Sequence, residues 1–328
     1  MLLLFTIAHP LVDACSLSVL IAGGMSWQRV IAYNAMAFAL QLPMGLLADE
    51  RPEWVRGGFC FGTGMAVAAA VSVAFGAGGW CPLAMACVGN ALFHLTAGKK
   101  ILDSHGGRGG PIGLFISTGA LGLLAGRVGM EHCAEASLPA FAVALAAVAA
   151  AGAVRWRRTG FRDLEFGSQD FAESGKTRNP NLAANPESRN PAPDAPSLAT
   201  GAFEAFILLG LFVLVAWRSW AGLAAGRISA GQGTALLFIG AAVTWAGKTL
   251  GGYIGDWVGR WPVTAASVCG SAALAFLCPP DNAAAWMALL FVAQLATGPV
   301  LSLLYDRTDR CGGMAFGLNC LGLFAGSL

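Results

Sequence analysis

The chain is short of charge. Only 12% of its 328 residues are Asp, Glu, Lys or Arg, against about 25% in soluble domains. Hydrophobic residues make up 56% and the mean hydropathy is +0.64. That scarcity excludes an ordinary water-soluble domain and points to a polytopic membrane protein. A single-sign charge excess is also missing: 20 Lys and Arg face 18 Asp and Glu, net +2, too little to expect nucleic acid as a partner. No Cys-x-x-Cys pair occurs. The nine cysteines stand singly, mostly inside apolar runs, which excludes a zinc ribbon or disulfide framework and suits small buried side chains. Nor is there a G-x-x-x-x-G-K-[ST] loop, an H-E-x-x-H or a G-x-S-x-G. The chain therefore reads as no enzyme, with no cofactor or metal, and any work it does must draw on an ion gradient rather than ATP.

What is present is length without interruption. Apolar runs of about 17–25 residues can cross a hydrocarbon core as helices, and their lack of two-residue alternation excludes barrel strands. Eleven spans are expected, near 2–23, 27–48, 57–77, 80–97, 111–130, 138–155, 202–223, 231–252, 262–279, 284–304 and 312–328. The opening "MLLLFTIAHPLVDACSLS" has no basic segment ahead of its apolar run, and an aspartate two residues before Cys15 disagrees with a lipoprotein cleavage site. It reads as a first transmembrane helix. Between the sixth and seventh spans, residues 159–200 are polar and rich in Pro, Asn and Ser, the composition of a flexible linker. Three parts are expected: a six-helix bundle over 1–158, a linker over 159–200, and a bundle of about five helices over 201–328.

Lys and Arg set the orientation. With the N-terminus inside, Arg51, Arg56, Lys99, Lys100, Arg108, Arg155, Arg260, Arg307, Arg310 and the basic residues of the linker all fall on the cytoplasmic side, with Lys248 toward it; only Arg29, Arg127 and Arg227 fall near the other. A cytoplasmic N-terminus follows from that bias.

Two stretches repeat a pattern. "MGLLADERPEWVRGG" (44–58) follows the second span and "GGYIGDWVGR" (251–260) follows the eighth, with Asp49 and Asp256 207 residues apart. Duplicated loops at equivalent places imply two related halves. The second half is one span short, so either a twelfth helix is missing from the sequence or eleven is the natural number.

Two six-helix halves with G-x-x-x-D and a basic residue after the second helix of each resemble the major facilitator superfamily, whose loop is G-x-L-x-D-x-x-G-R-[KR]. Gly252, Asp256, Gly259 and Arg260 fit it; the first copy keeps Gly45, Leu47 and Asp49 but has Arg51, Pro52 and Arg56 where the family has Gly-Arg-Arg. "AHPLVDACSLSVL" (8–20), "VGNALFHLTAGKKI" (88–101), "GPIGLFISTGALGLLAG" (110–126) and "AWRSWAGLAAG" (216–226) are similar to helices of fosmidomycin-resistance-type drug exporters, although Leu95 stands where that group has proline. The resemblance implies an all-α, two-bundle, monomeric secondary transporter of a bacterial inner membrane. Its partners would be a small-molecule substrate, protons and the lipid bilayer. Export of a drug-like or anionic compound is the implied activity; proton-coupled uptake, or a sensor or assembly protein derived from a transporter, are the alternatives.

The chemistry of the loops supports a conformational latch at Gly45, Asp49, Arg51, Gly252, Asp256, Gly259 and Arg260. Glycines let helix ends approach closely, and an interfacial aspartate can accept from a helix N-terminus or pair with arginine. Within the spans, Asp13 is the one acidic residue well inside an apolar run, where a charge costs several kcal/mol without a partner or a cavity (~3 kcal/mol on insertion scales). His9, four residues earlier, shares its helix face. A His–carboxylate pair can hold or pass a proton, so Asp13, His9 and His94 are the candidates for proton coupling. The resemblance would bring these together with Arg218 and Gln294 along a central path, the latter two as substrate-binding groups. Each also has a plainer reading: His9 solvated at an interface, His94 and Gln294 bonded between helices, Arg218 snorkelling or paired with Asp13. Asn34, Gln41, Asn90 and Asn319 read as interhelical glue.

Overall fold

The structure is a computed structural model that describes residues 1–159, 198–230, 234–277, 279 and 282–328. Nearly all of the expected linker lies outside the described residues. Those residues form helices, and each of the eleven expected spans is one. In chain order they are α1 (Leu2–Ala22), α2 (Trp27–Glu50), α3 (Trp54–Ala74) and α4 (Trp80–Ser104). The helix Gly109–Thr159 breaks at Cys133 (φ −147°, ψ 48°) into α5 (109–132) and α6 (134–159). Then come α7 (Leu198–Ala230), α8 (Thr234–Val258), α9 (Arg260–Leu277), α10 (Ala283–Arg307) and α11 (Gly312–Ala325).

Two helices are irregular for identifiable reasons. In α2, residues Ala35–Ala39 widen into a π turn, and the Gln41 amide donates to the Ala37 carbonyl at 2.7 Å. Such turns interrupt the ladder at single points. In α10 the regular run stops at Gln294 and resumes at Thr297. Pro299 has no N–H to give the Leu295 carbonyl four residues back, so that carbonyl is left facing α8. Gly251 makes room for it, because a Cβ there would overlap Leu295 backbone.

Lipid tails are as apolar as leucine, so these helices are held by close packing and polar contacts rather than by burial of oil from water. Phe5, Phe59, Phe93 and Phe115 form a fully buried aromatic column within the first half, with centroids 5.4 to 6.2 Å apart along the chain of contacts. Large apolar residues such as Phe203, Phe206, Leu209, Val213 and Phe276 face outward, as a lipid-facing surface requires. In α5, Gly119, Gly122 and Gly126 lie against α1: side chains there would strike His9 and Asp13, the Pro10 backbone and the Ala14 backbone in turn.

The two halves meet chiefly along two helix pairs, α2 with α11 and α5 with α8, with α4 also touching α11 and α5 touching α10. Both main contacts are made by glycines. A methyl on Gly45 or on Gly313 would run into the other's carbonyl, and one on Gly252 would run into that of Gly109. The breaks after α2, α4, α8 and α10 come together at one end of the molecule, the basic end, and there the halves are closed on each other.

Candidate functional site

At the basic end, α11 begins at Gly312 with no side-chain cap of its own, and α5 begins after Arg108, which cannot accept a hydrogen bond. The first N–H groups of a helix need acceptors. Each is supplied from the opposite half. The Asp49 carboxylate accepts from the Gly313 and Met314 N–H groups at 2.8 and 2.7 Å, and that of Asp256 accepts from Gly109 and Gly110 at 2.7 and 2.8 Å. The two loops are thus related as a pair, each carboxylate sitting on the positive end of a helix across the interface.

The cations differ from the expected ones. Arg51 is exposed, lies over the Trp54 ring and makes no bond to Asp49. That partner is Lys99, at 2.6 Å, which also reaches Asp103 at 2.9 Å. The sequence reading ended the fourth span at 97; the helix instead runs to Ser104, because Lys99 is buried between two carboxylates rather than facing water. Arg260 bonds Asp306 and the Ser302 carbonyl, not Asp256, while Arg108 lies 3.8 Å from Asp256. Gly259, with φ +114°, makes the turn that sends Arg260 back along α10.

Halfway along the first half, α1 and α4 bring His9, Asp13 and His94 together, all buried. His9 Nε2 is 3.2 Å from Asp13 Oδ2, and His94 Nε2 is 3.4 Å from Asp13 Oδ1. Each imidazole is fixed from behind, Nδ1 of His9 on the Phe115 carbonyl at 2.6 Å and Nδ1 of His94 on the Asn90 carbonyl at 2.8 Å. A carbonyl can only accept, so both Nδ1 atoms carry hydrogen. In the neutral rings both Nε2 atoms then present lone pairs to a carboxylate that has only lone pairs. At these distances the arrangement needs at least one further proton, on an Nε2 or on the carboxyl. His9 also stacks on Phe115, and the two imidazoles meet edge to face with centroids 4.4 Å apart, so the rings have little freedom to turn away. The three donor atoms lie within 4.8 Å of one another, a spacing that would also accept a small cation.

Asn90 completes the cluster by donating to Asp13 Oδ1 at 3.0 Å. Its sequence gave no sign of this beyond a polar residue one turn before His94. Gly119 provides the space: a Cβ there would stand 2.5 Å from Asp13 Oδ2 and 2.7 Å from His9 Nε2.

Arg218 does not pair with Asp13. It is 4% exposed, donates from Nη2 to Asn319 at 3.0 Å, and its Nη1 has no partner. Gln294 stands at the break in α10, where its Oε1 accepts from Thr297 at 3.2 Å, and it lies between Gly222 of α7 and Gly247 of α8. Next to Gly247 is Lys248, half-buried, with its backbone carbonyl against Gly113 of α5. Sequence reasoning counts Lys248 only toward orientation, although a lysine fourteen residues after the charge-free start of α8 is the available signal.

No protein-family model and no curated protein matches the chain. Solved structures do. The xylose transporter XylE from E. coli, in a partially occluded inward-open conformation, aligns with a TM-score of 0.58 and 12% identity over 100% of this chain and 89% of its own. The E. coli fucose:proton symporter FucP aligns at 0.55 and 12% identity, over 99% and 87%, and a structure of the major facilitator superfamily transporter FucP in the outward conformation at 0.54 and 11%, over 98% and 89%. The chain has the all-helical, polytopic major facilitator fold.

Proposed function

We propose that the protein is a proton-coupled secondary transporter working by alternating access between its two halves, exporting a small anionic or drug-like compound. The observation that carries this is the His9–Asp13–His94 cluster. Two imidazoles with their inner nitrogens tied to carbonyls converge on one buried carboxylate, and that arrangement holds a proton by construction. The cluster is buried beside the interface between halves, where a proton can be taken from one side and released to the other as the halves rock. The carboxylate-to-helix bonds at the basic end are the contacts that such rocking must break. The Lys and Arg bias supports placing that end, and the N-terminus, in the cytoplasm of a bacterial inner membrane.

A second reading, proton-coupled uptake, is favoured by FucP, which is a fucose:proton symporter. The groups around Asp13 serve either direction. Energised inverted vesicles separate the two. For an exporter, compounds added outside release protons from the lumen, read as recovery of a pH dye. For a symporter, the same compounds accelerate proton loss only when preloaded in the lumen. Either response should vanish in Asp13→Asn. A response that survives that substitution unchanged would remove Asp13 from the coupling and with it the basis of the proposal.

A further inference from the structure

The second half holds two cations, Arg218 of α7 and Lys248 of α8, that no described residue balances. Arg218 is buried with Nη1 free. Among the described residues, no carboxylate lies in ion-pair reach of Arg218 or Lys248, and Lys248 has no hydrogen-bond partner. Asp13, the acidic residue inside the spans, is already engaged by His9, His94 and Asn90. An arginine buried without a counter-ion opposes folding in a low-dielectric interior unless an anion joins it, and half-buried Lys248 adds a second like charge within electrostatic reach of it.

The surroundings narrow what that anion is. Gly222 lies one turn beyond Arg218 on α7 and Gly247 immediately before Lys248 on α8, and Gln294 fills the space between those glycines. Gln294 has its carbonyl oxygen occupied by Thr297, so its amide nitrogen is the group left to donate. Arg218 Nη1, Lys248 Nζ and Gln294 Nε2 are all donors, and none accepts. A neutral hydroxyl compound would find nothing there for its own O–H groups. An oxyanion with at least two oxygens would find a donor for each.

We infer that Arg218 and Lys248, with Gln294 between them, form the binding site for the oxyanionic head of the substrate, a carboxylate or a phosphate-type group, with Lys248 as its specificity-determining cation. This rests on the transport reading in taking the central path as the substrate's route. Binding and proton movement are measured separately, so one can fail without the other.

The test uses purified full-length protein in detergent, with thermal unfolding followed by tryptophan fluorescence. The probes share one apolar body: phenylphosphonate, benzoate and benzyl alcohol. Both anions should raise the midpoint of the parent, phenylphosphonate more than benzoate because its second charge meets the second cation, and benzyl alcohol should not. Lys248→Gln and Arg218→Gln should each weaken phenylphosphonate binding by about ten-fold or more, and Lys248→Arg should retain it. Without probe, Lys248→Gln should unfold at a higher temperature than the parent, since it removes an unbalanced charge. A midpoint lowered in unliganded Lys248→Gln, with anion response intact, would make the lysine structural and overturn the inference. So would equal stabilisation by benzyl alcohol, or no stabilisation by either anion.

Discussion

Asp256→Asn isolates the latch between halves. The carboxylate accepts two backbone N–H groups of α5 at 2.7 and 2.8 Å. Asparagine keeps one acceptor oxygen and turns an NH2 toward the other N–H. One charge-assisted bond, about 1.5–3 kcal/mol, is therefore lost, and the interaction of a negative charge with the helix N-terminus, about 0.3–1 kcal/mol, goes with it. The sum, about 2–4 kcal/mol, acts only on the conformation in which the basic end is closed, so it shifts the closed-to-open ratio by about 30- to 1000-fold. Folding within each half is untouched, because no bond inside a bundle changes. Spin labels on cysteines placed at exposed Glu53 and Trp261, one in each half, in a background without native cysteines, report the separation by pulsed electron resonance. The parent should give one short distance and Asp256→Asn a second, longer population. The double variant Asp49→Asn/Asp256→Asn, which weakens both helix caps, should favour the longer distance further. If the distribution is the same in parent, single and double variants, the carboxylate bonds do not decide the closed state and the reasoning fails.

Two further outcomes follow from the packing. Ser117 Oγ and Thr249 Oγ1 are 2.9 Å apart across the α5–α8 contact, so cysteines at both positions should form a disulfide on mild oxidation, seen as a gel-mobility change, and transport should stop until a reductant is added. Retained transport with the disulfide fully formed would mean that α5 and α8 need not separate. In Gly119→Ala the added methyl would press on Asp13 and His9; the protein should fold, at a cost of about 1–3 kcal/mol, yet lose substrate-driven proton movement. Parent-like proton movement in that variant would show that the cluster tolerates a geometry other than the one described.

Much of the fold was legible because a bilayer imposes a strong rule on sequence. Every backbone polar group must be satisfied within the span, so crossing segments must be long, apolar and helical, and all eleven expected spans are helices. Boundaries failed where a charge is buried: the fourth span ran past Lys99 because its two carboxylate partners come from Asp49, fifty residues away, and from Asp103, one turn on. The proton cluster was legible in part. Spacing alone puts His9 and Asp13 on one helix face, but no spacing rule relates either to His94 or Asn90.

What the sequence determined by itself is whatever depends on near neighbours: the helices, the duplicated Gly-and-Asp loops, the sign of charge at each helix end, and the i, i+4 pair in α1. What only the tertiary structure decided is which distant groups share those charges. It gave Asp49 to Lys99 and to the start of α11 instead of Arg51, gave Asp256 to α5 and Arg260 to Asp306, and left Arg218 and Lys248 without a carboxylate partner among the described residues. The reason is physical. Helix formation is settled by bonds four residues apart, whereas a charge in a low-dielectric interior is settled by whatever lies within a few ångströms in space, and that is fixed only once the helices have packed.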